Sequence, residues 1–158
     1  METDPPIRRF LPHDAPHWVP EWEPFFITIC CQPRGKNQLC LQPTSRLILQ
    51  SIREGEKQKI WHIGLVVLMP DHLHGIFHFN PVPGMKVSVV NWKKLMARKL
   101  KIKWQRDFFD HRLRNDAEYS LKYAYISQNP IRAGLTKDVH SWPHQWPKPK
   151  REDLKTAR

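Results

Sequence analysis

Three histidines, separated by two and by four residues, lie within the segment VVLMPDHLHGIFHFN, residues 66–80. An apolar run, a tight turn and a second apolar run predict two adjacent strands. Because side chains alternate along a strand, His72, His74 and His78 share one face of the second strand. The opposite face carries only glycine and apolar residues, so we expect it to be the core face. The histidine face is then exposed or covered by something polar.

The spacing of these histidines limits which of them can bind one metal ion. At about 3.3 Å per residue, His72 and His74 lie roughly 6–7 Å apart along the strand, which allows both imidazoles to reach one ion. His78 lies about 13 Å beyond His74, too far to ligate the same ion easily. A metal site would therefore use His72 and His74 and take a third group from elsewhere. The alternative is a pair of ordinary surface histidines.

Candidate partners for this pair lie in the last predicted helix, which holds Tyr119, Tyr123 and Tyr125. Residues four apart share a helix face. Only Tyr125 thereby brings a hydroxyl nucleophile to the same side as an amide oxygen, that of Asn129. The alternative for each tyrosine is core packing with a satisfied hydroxyl.

The elements that must position these groups follow the order β-α-β-β-α-β, with one further helix. The second and third strands join through a turn too short for a parallel crossover, so they pair antiparallel. We therefore expect an α+β, ferredoxin-like antiparallel sheet whose additional C-terminal helix carries the tyrosines. Gly55 is expected to stop the first helix and Pro130 the last. The predicted strands are 25–31, 59–69, 72–79 and 108–114, and the predicted helices are 43–56, 86–106 and 115–129.

Composition divides the chain into three parts. Residues 1–24 contain six prolines and form a proline-rich arm, 25–140 form a single domain, and 141–158 form a basic tail with Trp and Pro. No secretory h-region or apolar run of membrane-spanning length is present, so no membrane partner is expected. The three cysteines have no zinc-ligand spacing and fit a reducing cytoplasm.

The chain carries 26 Lys and Arg against 15 Asp and Glu, a net charge of +11. Such an excess usually serves a polyanion, and nucleic acid is the first candidate, with a bare solubility bias as the alternative. The predicted helix 86–106 has eight basic residues and no acidic one. We expect phosphate contacts from this segment and from three arginines nearer the tyrosines. The candidates are Lys93, Lys94, Arg98, Lys99, Lys101, Lys103, Arg112, Arg114 and Arg132.

Two longer motifs resemble a known family. The segment MPDHLHGIF resembles the His-hydrophobic-His strand of the HUH single-tyrosine transposases. The segment FFDHRLRNDAEYSLKYAYISQNPIRAGL resembles the downstream part of the REP-associated tyrosine transposases, with its Tyr-Ile-x-x-Asn-Pro pattern. The Trp-Gln-x-x-Phe-x-Asp-His run also matches within KWQRDFFDHRLR. The resemblance extends from about residue 25 to 146.

This resemblance implies that Tyr125 is the nucleophile and that His72, His74 and Asn129 bind Mg²⁺ or Mn²⁺. Asn129 stands where related insertion-sequence transposases usually carry Gln. The implied activity is metal-dependent cleavage and transfer of single-stranded DNA at palindromic hairpins, through a 5′-phosphotyrosine. An exchange of roles between Tyr123 and Tyr125 stays open. So does the group that activates the phenol, for which the metal and the side chains of His78 and His111 are candidates.

The resemblance also implies a monomer or a homodimer, in a cytoplasmic, nucleoid-associated location. The main alternative function is a catalytically inactive DNA hairpin-binding protein of the same fold. A replication initiator or relaxase of the HUH class, and a zinc hydrolase built on His72 and His74, are weaker alternatives. The zinc hydrolase lacks an evident third His, Asp or Glu ligand.

Overall fold

The computed structural model describes residues 22–149, and its elements follow the predicted α+β order. Residues 22–149 form five strands, three helices and a short 3-10 helix, Val139–Ser141. The ferredoxin-like arrangement β-α-β-β-α-β with an additional helix is confirmed. The bounds are β1 Pro24–Cys30, α1 Thr44–Lys57, β2 Trp61–Met69, β3 His72–Phe79, α2 Met85–Leu100, β4 Phe109–Arg112, α3 Asp116–Arg132 and β5 Gln145–Trp146.

The strands form one sheet in the order β4-β1-β3-β2-β5, and all neighbours are antiparallel. Thr28 in β1 lies opposite His74 in β3 and opposite Phe109 in β4. Directly opposed residues share a sheet face, so these three side chains form a row across three strands. This register places the edge strand β4 next to β1, which pairs on its other side with the histidine-bearing strand β3.

Different helices cover the two faces of the sheet, although the edge strand β4 stays exposed. Helices α1 and α2 close the first face over a core that includes Ile48, Leu73 and Met96. Helix α3 closes much of the second face, where Ile76 and Ile126 pack together. For His78, the expectation that the histidine face is exposed or has a polar cover is therefore wrong. His78 is fully buried there, with its ring 5.9 Å from that of Tyr119.

Two predicted helix ends are wrong because tertiary contacts override local signals. Gly55 does not stop α1, which continues to Lys57. Its missing side chain instead makes room for Trp61, since a Cβ at Gly55 would lie 2.6 Å from Trp61 Cζ2. Pro130 does not stop α3, which runs two residues further to Arg132, and the Ala133 N–H still donates to the Asn129 carbonyl.

Helix α2 is shorter than the predicted 86–106. It ends at Leu100, and Lys101 follows in the left-handed conformation with φ of 59°. The chain after it is drawn against the end of β1, where Cys31 and Trp104 form a bridge. The Gln32 N–H also donates to the Lys103 carbonyl, at 2.9 Å. Basic residues from 101 onward therefore lie in an extended segment.

The folded part continues past the boundary predicted at residue 140. Strand β5 pairs with β2, and the buried Trp142 donates its ring N–H to the Leu68 carbonyl at 3.0 Å. Most of the proline-rich arm and the second half of the basic tail, residues 1–21 and 150–158, lie outside the residues described. Within 22–149, no helix combines the length and the apolar character needed to cross a bilayer.

Candidate active site

The first two histidines of β3 lie side by side at the start of the strand. Their ring centroids are 4.8 Å apart, which is the proximity that their spacing predicts. His72 is half-buried and His74 is buried. The structure brings this pair together and separates it from His78, whose ring lies 5.6 Å from that of His62 instead.

His72 is oriented by the residue that precedes it. Its Nδ1 lies 2.7 Å from Asp71 Oδ1, while Arg34 Nε and the Gly35 N–H donate to Asp71 Oδ2. Partial burial alone would raise the pKa of Asp71, but these hydrogen bonds and the Arg34 charge lower it to about 2. The ionised carboxylate only accepts hydrogen bonds, so Nδ1 of His72 carries a proton and donates to it.

His74 is held in the same way by Thr28, the residue opposite it in β1. Its Nδ1 lies 2.8 Å from Thr28 Oγ1, and its ring stacks on Phe26 with centroids 5.5 Å apart. Burial lowers the pKa of His74 to about 3, and nearby cations contribute, namely His72, Arg132, Lys122 and Arg34. A neutral imidazole is the form that binds metals. His74 is therefore in this form at neutral pH, and its ring lies beside that of His72 on one face of the sheet.

This donor set fits a divalent ion with open coordination positions. Imidazole nitrogen suits Zn²⁺, Cu²⁺, Fe²⁺ and Ni²⁺ best, whereas Mg²⁺ and Mn²⁺ favour oxygen ligands, which an amide, water or a phosphate would add. Within residues 22–149, no three His, Cys, Asp or Glu side chains are placed to hold an ion. A third ligand from residues 22–149 would therefore be of another type, such as an amide.

Asn129, the predicted third ligand, is half-buried on α3, one turn after Tyr125. No hydrogen bond among the described side chains joins Asn129 to either histidine. Its role as a ligand stays a prediction.

All three tyrosines of the chain lie on α3, and they differ sharply in exposure. Tyr119 is buried in the second core, and Tyr123 is 5% exposed there. Tyr125 is 45% exposed, with its ring 5.8 Å from that of His74. Accessibility and proximity thus single out Tyr125 beside the histidine pair.

Two cations flank the Tyr125 ring. The Arg132 guanidinium carbon lies 4.4 Å from the ring centroid, and Nη2 donates to the Tyr125 carbonyl at 2.6 Å. Lys122 Nζ lies 5.5 Å from the same centroid. Arg132 was among the residues predicted to bind phosphate, but Lys122 was not. Its position three residues before Tyr125 was the available signal, because such residues share a helix face.

The basic residues predicted on α2 are not brought near the histidine pair. Helix α2 packs on the first face of the sheet, whereas the pair lies on the second. Lys94, Arg98, Lys99, Lys101 and Lys103 are exposed, so phosphate contacts from them stay a prediction.

The prediction that Lys93 contacts phosphate is wrong. It is buried, and its Nζ donates to the carbonyls of Gln105 and Arg106 at 2.9 and 3.1 Å. Its ammonium therefore ties α2 to the segment before β4 instead of facing solvent. Burial also lowers the pKa of Lys93.

The two arginines near β4 differ in setting. Arg112 lies opposite Phe25, which packs against the first core, and it forms an ion pair with Glu23 at 3.1 Å. It is thus on the sheet face away from Tyr125, although the sequence placed it near the chemistry. Arg114 is exposed in the turn before α3. Its predicted role is unaffected.

Comparison with known proteins gives this site a family context. No protein-family model matches the chain. A REP-associated tyrosine transposase of Escherichia coli (strain K12) is 27% identical over 124 residues, which cover 75% of this chain and 73% of that protein. A solved REP-associated tyrosine transposase bound to a REP hairpin superposes with a TM-score of 0.68 at 25% identity. That match covers 78% of this chain and 75% of the other.

The chain resembles REP-associated tyrosine transposases. The likeness holds in both sequence and fold, and it confirms the resemblance inferred from the motifs. The five-stranded antiparallel sheet and three helices match the fold of the solved REP-associated transposase. The likeness to transposases supports an enzyme of the transposase kind.

Proposed function

We propose that this chain is a metal-dependent single-stranded DNA endonuclease and strand transferase of the HUH single-tyrosine type. The observation that supports it most is the exposed Tyr125 beside the buried His74 of a paired-histidine site. A nucleophile, two imidazole rings and two cations meet at one place on the sheet. This is the set of groups that phosphodiester cleavage requires.

In the proposed reaction, Tyr125 Oη attacks the scissile phosphorus. The Oη–P bond forms, the P–O3′ bond breaks, and the DNA 5′ end stays attached as a phosphotyrosine. The phenol proton passes to solvent, and the departing oxygen takes up a proton to become a 3′-hydroxyl. Attack by a 3′-hydroxyl on the phosphotyrosine reverses these steps, so strands are rejoined without another energy source.

A divalent ion, Mg²⁺ or Mn²⁺, supplies charge that polarises the phosphate oxygens. His72, His74 and Asn129 would hold it. Asp71 and Thr28 fix the rings of the two histidines, and Arg132 fixes the backbone at Tyr125. These contacts set the direction from which the phenol meets the phosphate.

Hairpin DNA is the proposed partner because a similar transposase has been solved with a REP hairpin and this chain carries a net charge of +11. The proposed substrate is a single strand that folds into a palindromic hairpin. We propose a cytoplasmic protein associated with the nucleoid, acting as a monomer or a homodimer.

The test is incubation of the full chain with single-stranded hairpin oligonucleotides and Mn²⁺, followed by a denaturing gel. We expect a covalent protein–DNA band. Tyr125→Phe removes the band but keeps hairpin binding, whereas the matched control Tyr123→Phe keeps both. Hairpin binding without a band, across Mn²⁺ and Mg²⁺ and a broad oligonucleotide pool, would instead establish the inactive hairpin-binding protein.

A further inference from the structure

An exposed aromatic residue continues the row of side chains that begins at the histidine pair. Phe109 lies on the edge strand β4, opposite Thr28, which in turn lies opposite His74. Phe109 is 57% exposed. Helix α3 does not cover this end of the sheet, so a large apolar ring faces solvent beside the proposed chemistry.

The ring of Phe26 connects Phe109 with the site. Its centroid lies 6.0 Å from that of Phe109, 5.5 Å from that of His74 and 6.4 Å from that of Tyr125. Phe26 itself is buried. The four rings therefore form one contiguous cluster, in which Phe26 and His74 are buried and Phe109 and Tyr125 are accessible.

A cation lies over the same buried ring. Lys122 Nζ is 4.8 Å from the Phe26 centroid and 5.5 Å from that of Tyr125. None of the ion pairs found within residues 22–149 includes Lys122. Lys122 and Phe109 both contact Phe26, so an ammonium and an exposed apolar ring lie next to the same buried ring.

We propose that Phe109 and Lys122 form a subsite for one unpaired nucleotide next to the scissile phosphate. Phe109 stacks on the base, and Lys122 contacts the phosphate. This inference rests on the proposed function and adds the residues that position the strand. Stacking on an aromatic ring tolerates any base because every base has a π-face, so the subsite holds the strand without selecting its sequence.

The test separates base from phosphate by comparing two strands of equal length. In a Tyr125→Phe background, which prevents cleavage, the affinity of the full chain is measured for oligothymidylate and for an abasic strand with the same phosphates. The parent binds oligothymidylate more tightly, by on the order of tenfold. Phe109→Ala removes most of that preference, and Phe109→Tyr retains it.

Lys122→Met weakens the binding of both strands by the same factor. It also reduces the slope of log affinity against log salt by about 0.7, the value for one phosphate contact to a single strand. Leu121→Ala, an exposed neighbour on α3, changes neither affinity. A full preference in Phe109→Ala, no preference in the parent, or an unchanged salt slope in Lys122→Met would overturn the inference. These are binding measurements, so a wild-type chain that forms no covalent adduct contradicts the proposed function separately.

Discussion

Each histidine of the pair has one ring nitrogen already hydrogen-bonded within the protein. Asp71 holds Nδ1 of His72, and Thr28 holds Nδ1 of His74. The other nitrogen of each ring is the one left for a metal. Partners of this kind typically fix the tautomer and orientation of a ligating imidazole.

Asp71→Asn tests whether this support matters for metal binding. The substitution removes the negative charge of Asp71 and replaces one of its two acceptor oxygens, which pair with His72 and Gly35, with an amide donor. The His72 ring is then held less firmly in its orientation. We expect Mn²⁺ affinity to fall by about 10- to 100-fold in calorimetric titrations without DNA. Asp138→Asn, at an exposed carboxylate that contacts His140, is the control and should leave the affinity unchanged. Equal affinities in wild type and Asp71→Asn would refute the orienting role.

Two of the cysteines, Cys31 and Cys40, are expected to react slowly. Burial raises the pKa of Cys31 to about 12, with a further contribution from Asp71, and burial raises the pKa of Cys40 to about 12. Since the thiolate is the reactive form, about one thiol in ten thousand is ionised at pH 8. We expect iodoacetamide to leave both residues unmodified in the folded chain, with labelling increasing as the pH is raised. Mass spectrometry should show both alkylated after unfolding, and rapid labelling in the native state would contradict the burial.

The sequence predicts the histidine pair and Tyr125 because strand and helix periodicities place them within single elements. It does not reveal Thr28 as the partner of His74, since that contact depends on the register between two strands 46 residues apart. Phe109 is hidden for the same reason. Asp71 was accessible to sequence reasoning, because it directly precedes His72 and its carboxylate can reach that ring.

Helix α3 both closes the second core and carries the proposed nucleophile. Its Tyr119, Tyr123 and Ile126 side chains close the second core, while Tyr125 projects beside the histidines. Asn115 caps its start by accepting from the Glu118 N–H at 2.9 Å. A helix anchored by its buried face holds the exposed tyrosine in place.

Gly55→Ala tests the packing of α1 on β2. Alanine favours helix by up to about 1 kcal/mol, but here its Cβ would meet Trp61 at 2.6 Å. The Trp61 ring is itself fixed by donation from Nε1 to the Ile52 carbonyl at 2.9 Å. We expect a net loss of roughly 1–3 kcal/mol in the free energy of unfolding, measured by urea denaturation. Lys57→Ala, at an exposed position of the same helix, should change it little, and a more stable Gly55→Ala would disprove the steric account.

The errors in predicted elements have a common physical origin. Gly55 and Pro130 are helix-ending residues by local propensity, yet Gly55 is needed for close packing and Pro130 is buried near the end of α3. Strand β3 was predicted with its observed bounds, 72–79, because a turn and a change of periodicity mark it locally. Tertiary contacts, which the sequence does not display, decide the other ends.

For the whole molecule, net charge predicts a polyanionic partner but not where that partner lies. The exposed cations of α2 are on the first sheet face, whereas Lys122 and Arg132 flank Tyr125 on the second. The fold therefore separates the basic residues into two surfaces. A single strand at Tyr125 meets Lys122 and Arg132 first.

Locating the residue that carries the DNA tests directly whether Tyr125 is the nucleophile. The covalent product formed with a hairpin oligonucleotide and Mn²⁺ would be digested with nuclease and trypsin, and the nucleotide-bearing peptide sequenced by mass spectrometry. Tyr123 and Tyr125 fall on the same tryptic peptide, so fragmentation distinguishes them within one spectrum. We expect the nucleotide on Tyr125. A nucleotide on Tyr123 or Tyr119 would contradict it.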